Sequence, residues 1–196
     1  MKNIVKRISY KCKVVLKTGM HIGGNKDSYG IGGIDTPVIK NPLDGRPILP
    51  GSSLKGKIRF LLSANGTDER TINEVFGNAK NDADLHFTRF LFRDFVLTDE
   101  SAEQLEKKLG DGIFTEVKAE NSIDNKTGMA ISPRFIERVP MGAIFEGEIV
   151  IQILDGDNEQ EAKDLLEKGF ELLEQSYLGG SGSRGYGQVG IEYEVK

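Results

Sequence analysis

The chain has no tryptophan, a single cysteine, only two histidines and no long apolar run. Each shortage removes a class of function. Cys12 alone closes no internal disulfide and builds no zinc cluster; its place in an apolar alternation makes it a small core side chain. His21 and His86 are too few for a His-rich metal cage and leave little for a Ser-His-Asp triad. A membrane helix needs ~20 consecutive apolar residues, and the opening MKNIVKRISYK lacks the apolar core of a signal peptide. A soluble, cytoplasmic protein with no membrane partner is expected. Basic charge is scarce too: 26 Lys and Arg face 30 Asp and Glu, a net charge of −4. Proteins that coat duplex DNA indiscriminately are strongly basic instead. A local basic groove is still compatible, because salt confines surface fields to ~10 Å.

Glycine is what the chain has in excess, 24 of 196 residues, where ~7% is usual. Around the glycine-rich stretches lie periodic segments. Ile8, Tyr10, Cys12, Val14 and Leu16 alternate with polar residues, which predicts a half-buried strand. Residues 19–51 lose all periodicity and mix glycines with Pro37, Pro42, Pro47 and Pro50, the pattern of a long functional loop. GSSLKGKIRFLLSA then spaces Leu54, Ile58, Leu61 and Leu62 as a helix, with Ser52 or Ser53 as its N-cap. FLFRDFVL (90–97) reads as one buried strand, and Ile149, Ile151 and Ile153 as another. Residues 158–177 place Leu165, Leu166, Phe170, Leu173 and Tyr177 on one helical stripe. The last strand is expected to turn Val189, Ile191, Tyr193 and Val195 inward. Residues 65–86 read as a small side element and 115–140 as an excursion away from the core. The order β-α-β-(insertion)-β-α-β is that of an α+β, ferredoxin-like or RRM-like βαββαβ fold in one domain. So many functions share that fold that the site must decide.

Gly51-Ser52-Ser53-Leu54-Lys55-Gly56-Lys57 has the spacing of a phosphate-binding P-loop, but Ile58 replaces the hydroxyl that holds Mg²⁺. The prolines of RPILP also make a poor central strand, so an NTPase is rejected. The segment still suits a polyanion: a helix start presents free N–H groups, and Lys55 and Arg59 share a face with Lys57 a turn away. Taken alone, that is equally a solvated helix face. The GGSGSRGYG run (179–187) lies between a helix and a core strand and has the composition of a backbone nest for phosphate. Arg184 would add a phosphate contact and Tyr186 a stacking surface. Asp35, in IGGIDTP, is by composition a turn residue before Pro37. Arg134 and Arg138 either pair with Glu137 and its neighbours or face RNA.

Five segments together, TGMHIGG (18–24), IGGIDTPVIKNP (31–42), LPGSSLKGKIR (49–59), SPRFIERVPMGAIF (132–145) and YLGGSGSRGYGQV (177–189), resemble the RAMP superfamily of CRISPR proteins. Within it they are most similar to the repeated backbone subunits of type III-A (Csm) effectors. The resemblance implies an RRM-like palm with a β-hairpin thumb inserted at about 115–145 and a side element at about 63–88. It implies several copies stacked along a crRNA guide, beside a large polymerase-like subunit, a small subunit and crRNA-capping RAMP subunits. It implies that Asp35 is catalytic and binds Mg²⁺ or another divalent metal to cut target RNA at regular intervals. His21, Lys55, Lys57, Arg59, Gly180, Ser181, Arg184 and Tyr186 match guide-binding positions, and Arg134 and Arg138 fall on the thumb side. Two alternatives stand beside this: a non-catalytic RNA-coating subunit, and a crRNA-processing endonuclease that relies on His21.

Overall fold

The computed structural model describes residues 3–23, 36–77 and 88–196. The apolar alternation of the first segment becomes β1 (Ile4–Leu16), with Ile8, Tyr10, Cys12, Val14 and Leu16 all buried on one face. There follow β2 (Ile48–Leu49), α1 (Gly51–Ala64), α2 (Glu69–Phe76), β3 (Phe90–Phe92), β4 (Phe95–Leu97) and α3 (Asp99–Leu109). The chain continues through β5 (Glu116–Ile123), β6 (Ala130–Arg138), β7 (Ile144–Leu154), α4 (Glu159–Glu174) and β8 (Val189–Val195). The main sheet is antiparallel in the order β2-β4-β7-β1-β8, with β3 pairing β7 beside β4. Each β-α-β crossover skips one strand: β1-α1-β3 spans β7, and β7-α4-β8 spans β1. This mixed architecture with an antiparallel sheet is consistent with the expected RRM-like arrangement.

The helices α1 and α4 close one face of the sheet. Leu54, Ile58 and Leu62 of α1 meet Leu166, Phe170 and Leu173 of α4 in one apolar core with the inward side chains of β1 and β7. Gly169 is required there, because a Cβ would run into Ile58. Three expectations change. The α1 cap is Pro50 rather than a serine, and the Gly51 N–H is satisfied by Asp94 Oδ1 at 2.8 Å. The 90–97 segment breaks into two strands at Arg93-Asp94, which frees Asp94 to make that bond. In β8 only Val189 and Gly190 are fully buried, while Tyr193 and Val195 are 39% and 46% exposed; among the described residues this strand is the sheet edge, with no neighbour on its far side.

The 115–140 excursion is a two-stranded antiparallel hairpin, β5 with β6, outside the main sheet. Its tip is solvated, yet its base is not an appendage: Ile136, Glu137 and Val139 are buried. Val139 exchanges backbone hydrogen bonds with Met20, and Glu137 N–H donates to the Thr36 carbonyl. No described helix is long and apolar enough to cross a membrane.

Candidate nucleic-acid interface

Three segments meet at one end of the sheet: the exit of β1, the base of the β5–β6 hairpin and the glycine-rich loop after α4. The loop is pinned at both ends. Leu178 N–H donates to the Gly187 carbonyl at 2.8 Å, Gly187 N–H to the Gly19 carbonyl at 3.0 Å and Gly180 N–H to the His21 carbonyl at 2.8 Å. Gly179 (φ 82°) and Gly187 (φ 71°) are left-handed, and a Cβ on either would strike the His21 or the Leu178 carbonyl oxygen. Here glycine permits close backbone approach as well as unusual dihedrals. Ser181 is left-handed too, with its hydroxyl accepting from Arg184 Nη2 at 2.6 Å. A short 3₁₀ turn, Gly182–Arg184, presents the tip.

The hairpin base supplies charge beneath that loop. Arg138 pairs with Glu116 at 2.6 Å, and its guanidinium lies 5.2 Å from the Tyr186 ring centroid. Lys118 Nζ lies 4.7 Å from the same centroid, and Glu120 is within 3.5 Å of both Lys118 and Arg184. Tyr186 is only 1% exposed, and burial, reinforced by Glu120, pushes its hydroxyl pKa up to about 12. Its ring therefore supports the loop from below and offers no stacking face in this structure.

Lys57 reaches the loop from the other side. Its ammonium sits 3.6 Å from the Tyr177 ring centroid, and the Tyr177 ring packs against Gly182. Lys55 is half-buried, and desolvation followed by the charge of Arg59 lowers its pKa. Arg59 is otherwise engaged: it donates to the Gly77 carbonyl at 3.0 Å and to Asn73 Oδ1 at 2.9 Å, tying α1 to the end of α2. Its expected guide contact thus competes with a structural one. Arg134 is exposed on the hairpin, within 3.4 Å of Ser122 Oγ. Asp35 lies outside the described residues, as does His86.

The anchor of the region is Glu137, 1% exposed. Its carboxylate accepts from Val38 N–H at 2.8 Å, from the Thr115 hydroxyl at 2.5 Å and from the Lys40 ammonium. Its backbone carbonyl meets His21 Nδ1 at 2.7 Å. One residue thus holds His21, the 36–40 segment and the hairpin together. Burial pushes the Glu137 pKa up, but Lys40, Thr115 and the Val38 N–H outweigh it and hold the carboxyl below its usual range. A depressed folded-state pKa means that the unfolded chain binds the proton more readily, so this stabilisation is present at neutral pH and lost as acid protonates the group. Glu137→Ala is expected to cost ~3–5 kcal/mol at neutral pH by stranding its partners. Denaturant melts should show that penalty shrinking as pH falls below about 4; an equal penalty at both pH values contradicts the ionised pairing.

Among the described residues no three His, Cys, Asp or Glu side chains are grouped to hold a metal ion. Glu137 is committed to its three partners and does not fit as a ligand. The open face of the sheet, where RRM domains stack bases on aromatics, carries Lys11, Lys13, Glu146, Glu148, Glu192 and Glu194 around a cavity of about 760 Å³. Tyr193, which borders it, turns its ring to Tyr10 and Phe170. Lys11 and Glu148 pair there at 3.0 Å.

Comparison with known proteins agrees with the geometry. The model of the RAMP superfamily matches residues 13–190. A Streptococcus thermophilus protein described as CRISPR system Cms endoribonuclease Csm3 is 42% identical over 197 residues, covering 95% of this chain and 87% of that protein. A chain from a crystal structure of the Csm3-Csm4 subcomplex of the type III-A CRISPR-Cas interference complex superposes with a TM-score of 0.61 at 28% identity, over 98% of this chain and 77% of that one. A chain of the type III-B Cmr-beta complex bound to cognate target RNA gives a TM-score of 0.70 at 18% identity, covering 97% of this chain and 61% of that one, and shows a shared fold.

Proposed function

Since the chain belongs to the RAMP superfamily, we propose that it is the crRNA-binding backbone subunit of a type III-A CRISPR effector and an endoribonuclease that cuts complementary target RNA at regular intervals. The observation that carries this reading is the glycine-rich loop held on the His21 carbonyl, next to a relative of 42% identity described as an endoribonuclease. In this reading the Ser181 N–H and Arg184 hold guide phosphates, a neutralisation that backbone nests and guanidinium groups suit, while Gly180, its own N–H spent on the His21 carbonyl, lets the backbone come close. His21 lines the same groove, its Nδ1 fixed by Glu137, so Nε2 is the ring nitrogen left for RNA. Lys57 and Lys55 supply cations from α1, and Arg59 does so only at the expense of its bonds to α2.

The β5–β6 hairpin acts as the thumb and α2 as the core of the side element. Arg134 and Arg138 line the thumb, whose tip would part the guide–target duplex. Further copies of the chain follow along one guide, with the large, small and capping subunits at their flanks. The residue that follows Asp35 in sequence, Thr36, accepts from Glu137 N–H through its carbonyl and so belongs to the hairpin base. RNA cleavage can use the substrate's own 2′-OH, which leaves the protein to impose in-line geometry and stabilise charge. A divalent ion bound by Asp35 and RNA phosphate oxygens would supply part of that charge stabilisation. The test is to purify the protein with its neighbouring subunits and sequence the RNA that accompanies it. Repeat-derived guides are expected; bulk cellular RNA, or none, contradicts the reading.

A further inference from the structure

The groove between α1 and α2 has no assigned role. Its volume is about 410 Å³, and Gly56, Arg59, Phe60, Ser63, Glu69, Ile72 and Asn73 form its walls. Phe60 is 63% exposed, opposite the buried positions Leu54, Ile58 and Leu62 of the same helix. Gly56 sits one turn earlier, and a Cβ there would meet nothing within 4 Å. A mid-helix glycine costs ~1 kcal/mol against alanine, and no described neighbour explains it. Lys57 Nζ is 5.7 Å from the Phe60 ring centroid and 3.6 Å from that of Tyr177, which is 38% exposed. The Arg59 guanidinium is held in the wall by Asn73 and the Gly77 carbonyl.

An exposed ring, an open glycine beside it, an oriented guanidinium and an amide are the parts of a base-stacking site. Single-stranded nucleic-acid binders combine a cationic track with aromatic faces in this way. We propose that the α1–α2 groove takes one unpaired nucleobase of the bound RNA, stacked on Phe60, with Gly56 leaving room for the sugar. The occupant is RNA rather than protein because Lys57, beside Phe60, also meets Tyr177, whose ring packs on Gly182 of the glycine-rich loop proposed to hold phosphate. This inference rests on the guide-binding reading above and adds a base contact to its phosphate contacts.

Phe60→Ala is expected to weaken single-stranded RNA binding about 5- to 100-fold, the range seen when one stacking ring is removed. Its salt dependence should match wild type, since no phosphate contact is lost. Phe60→Trp supplies a direct probe, because the chain has no other tryptophan. Its emission should be quenched by oligouridine and unchanged by an abasic oligonucleotide of equal length. If wild type and Phe60→Ala bind oligouridine equally, or the probe is not quenched while binding persists, the stacking site is wrong and the guide-binding reading stands. If the probe is already shielded without RNA, the protein itself fills the groove and the proposal falls. Loss of subunit assembly in Phe60→Ala with RNA affinity intact would make the face a protein contact instead. If wild type binds no RNA, both readings fall together.

Discussion

Asp35→Asn is expected to leave assembly and RNA binding nearly unchanged while target cleavage drops by ~10²–10⁴-fold, the scale of one lost proton-transfer group. Asparagine keeps the shape and turn preference of aspartate but removes the charge that would hold a divalent ion or handle a proton. The neighbourhood supports a specific loss. Thr36 is tied to Glu137, and Val38 N–H to its carboxylate, so the chain beyond Asp35 keeps its anchor in the variant. Among the described residues no cluster of carboxylates stands ready to take over a metal. The check is a gel of labelled target RNA with Mg²⁺ beside a binding assay on the same preparations. Cleavage at the wild-type rate would make Asp35 a turn residue and favour a non-catalytic RNA-coating subunit. Joint loss of binding and cleavage would assign it to the fold or the guide.

Gly187→Ala should be the most damaging single methyl in the loop. The residue is left-handed, and the new Cβ would strike the backbone carbonyl of Leu178, a residue that is itself 1% exposed. Left-handed strain and forced overpacking each cost ~1–3 kcal/mol. Gly187 also makes the two bonds that close the loop, from Leu178 N–H and to the Gly19 carbonyl. A loss of roughly 2–5 kcal/mol is expected in a denaturant melt, with RNA affinity falling even where the protein remains folded. Gly185→Ala gives the contrast: its φ is 89° but nothing lies within 4 Å of a Cβ there, so strain acts without collision and the loss should be smaller. Equal penalties would show that close approach at Gly187 does not matter.

Much of the core was legible because it follows local periodicity. The alternation of Ile8 to Leu16 and the stripe of residues 158–177 gave β1 and α4 directly. α3 is absent from the expected elements although its signals are local: Thr98 caps it, Asp99 and Glu100 open it, and Lys107 and Lys108 close it. The split of residues 90–97 depends on Asp94 reaching Gly51, which lies 43 residues away. The site was legible as segments and illegible as partnerships. By sequence Glu137 is a partner for nearby arginines, yet its carboxylate meets Lys40 from 97 residues away, while Arg138 takes Glu116. Tyr186 reads as a free ring because its sequence neighbours are glycines and an arginine; Lys118 and Arg138, brought in by the hairpin, cover it. Arg59 looked free for the same reason, until α2 supplied Asn73 and the Gly77 carbonyl.

RNA is expected to run over the glycine-rich loop and the exit of β1, and not over the open face of the sheet. Ultraviolet crosslinking of the assembled complex, with the attachment sites mapped by mass spectrometry, tests this most directly. Adducts are expected within residues 18–23 and 179–186 and on Lys57. Adducts confined to Lys11, Lys13 and Arg93 on the sheet face would contradict it.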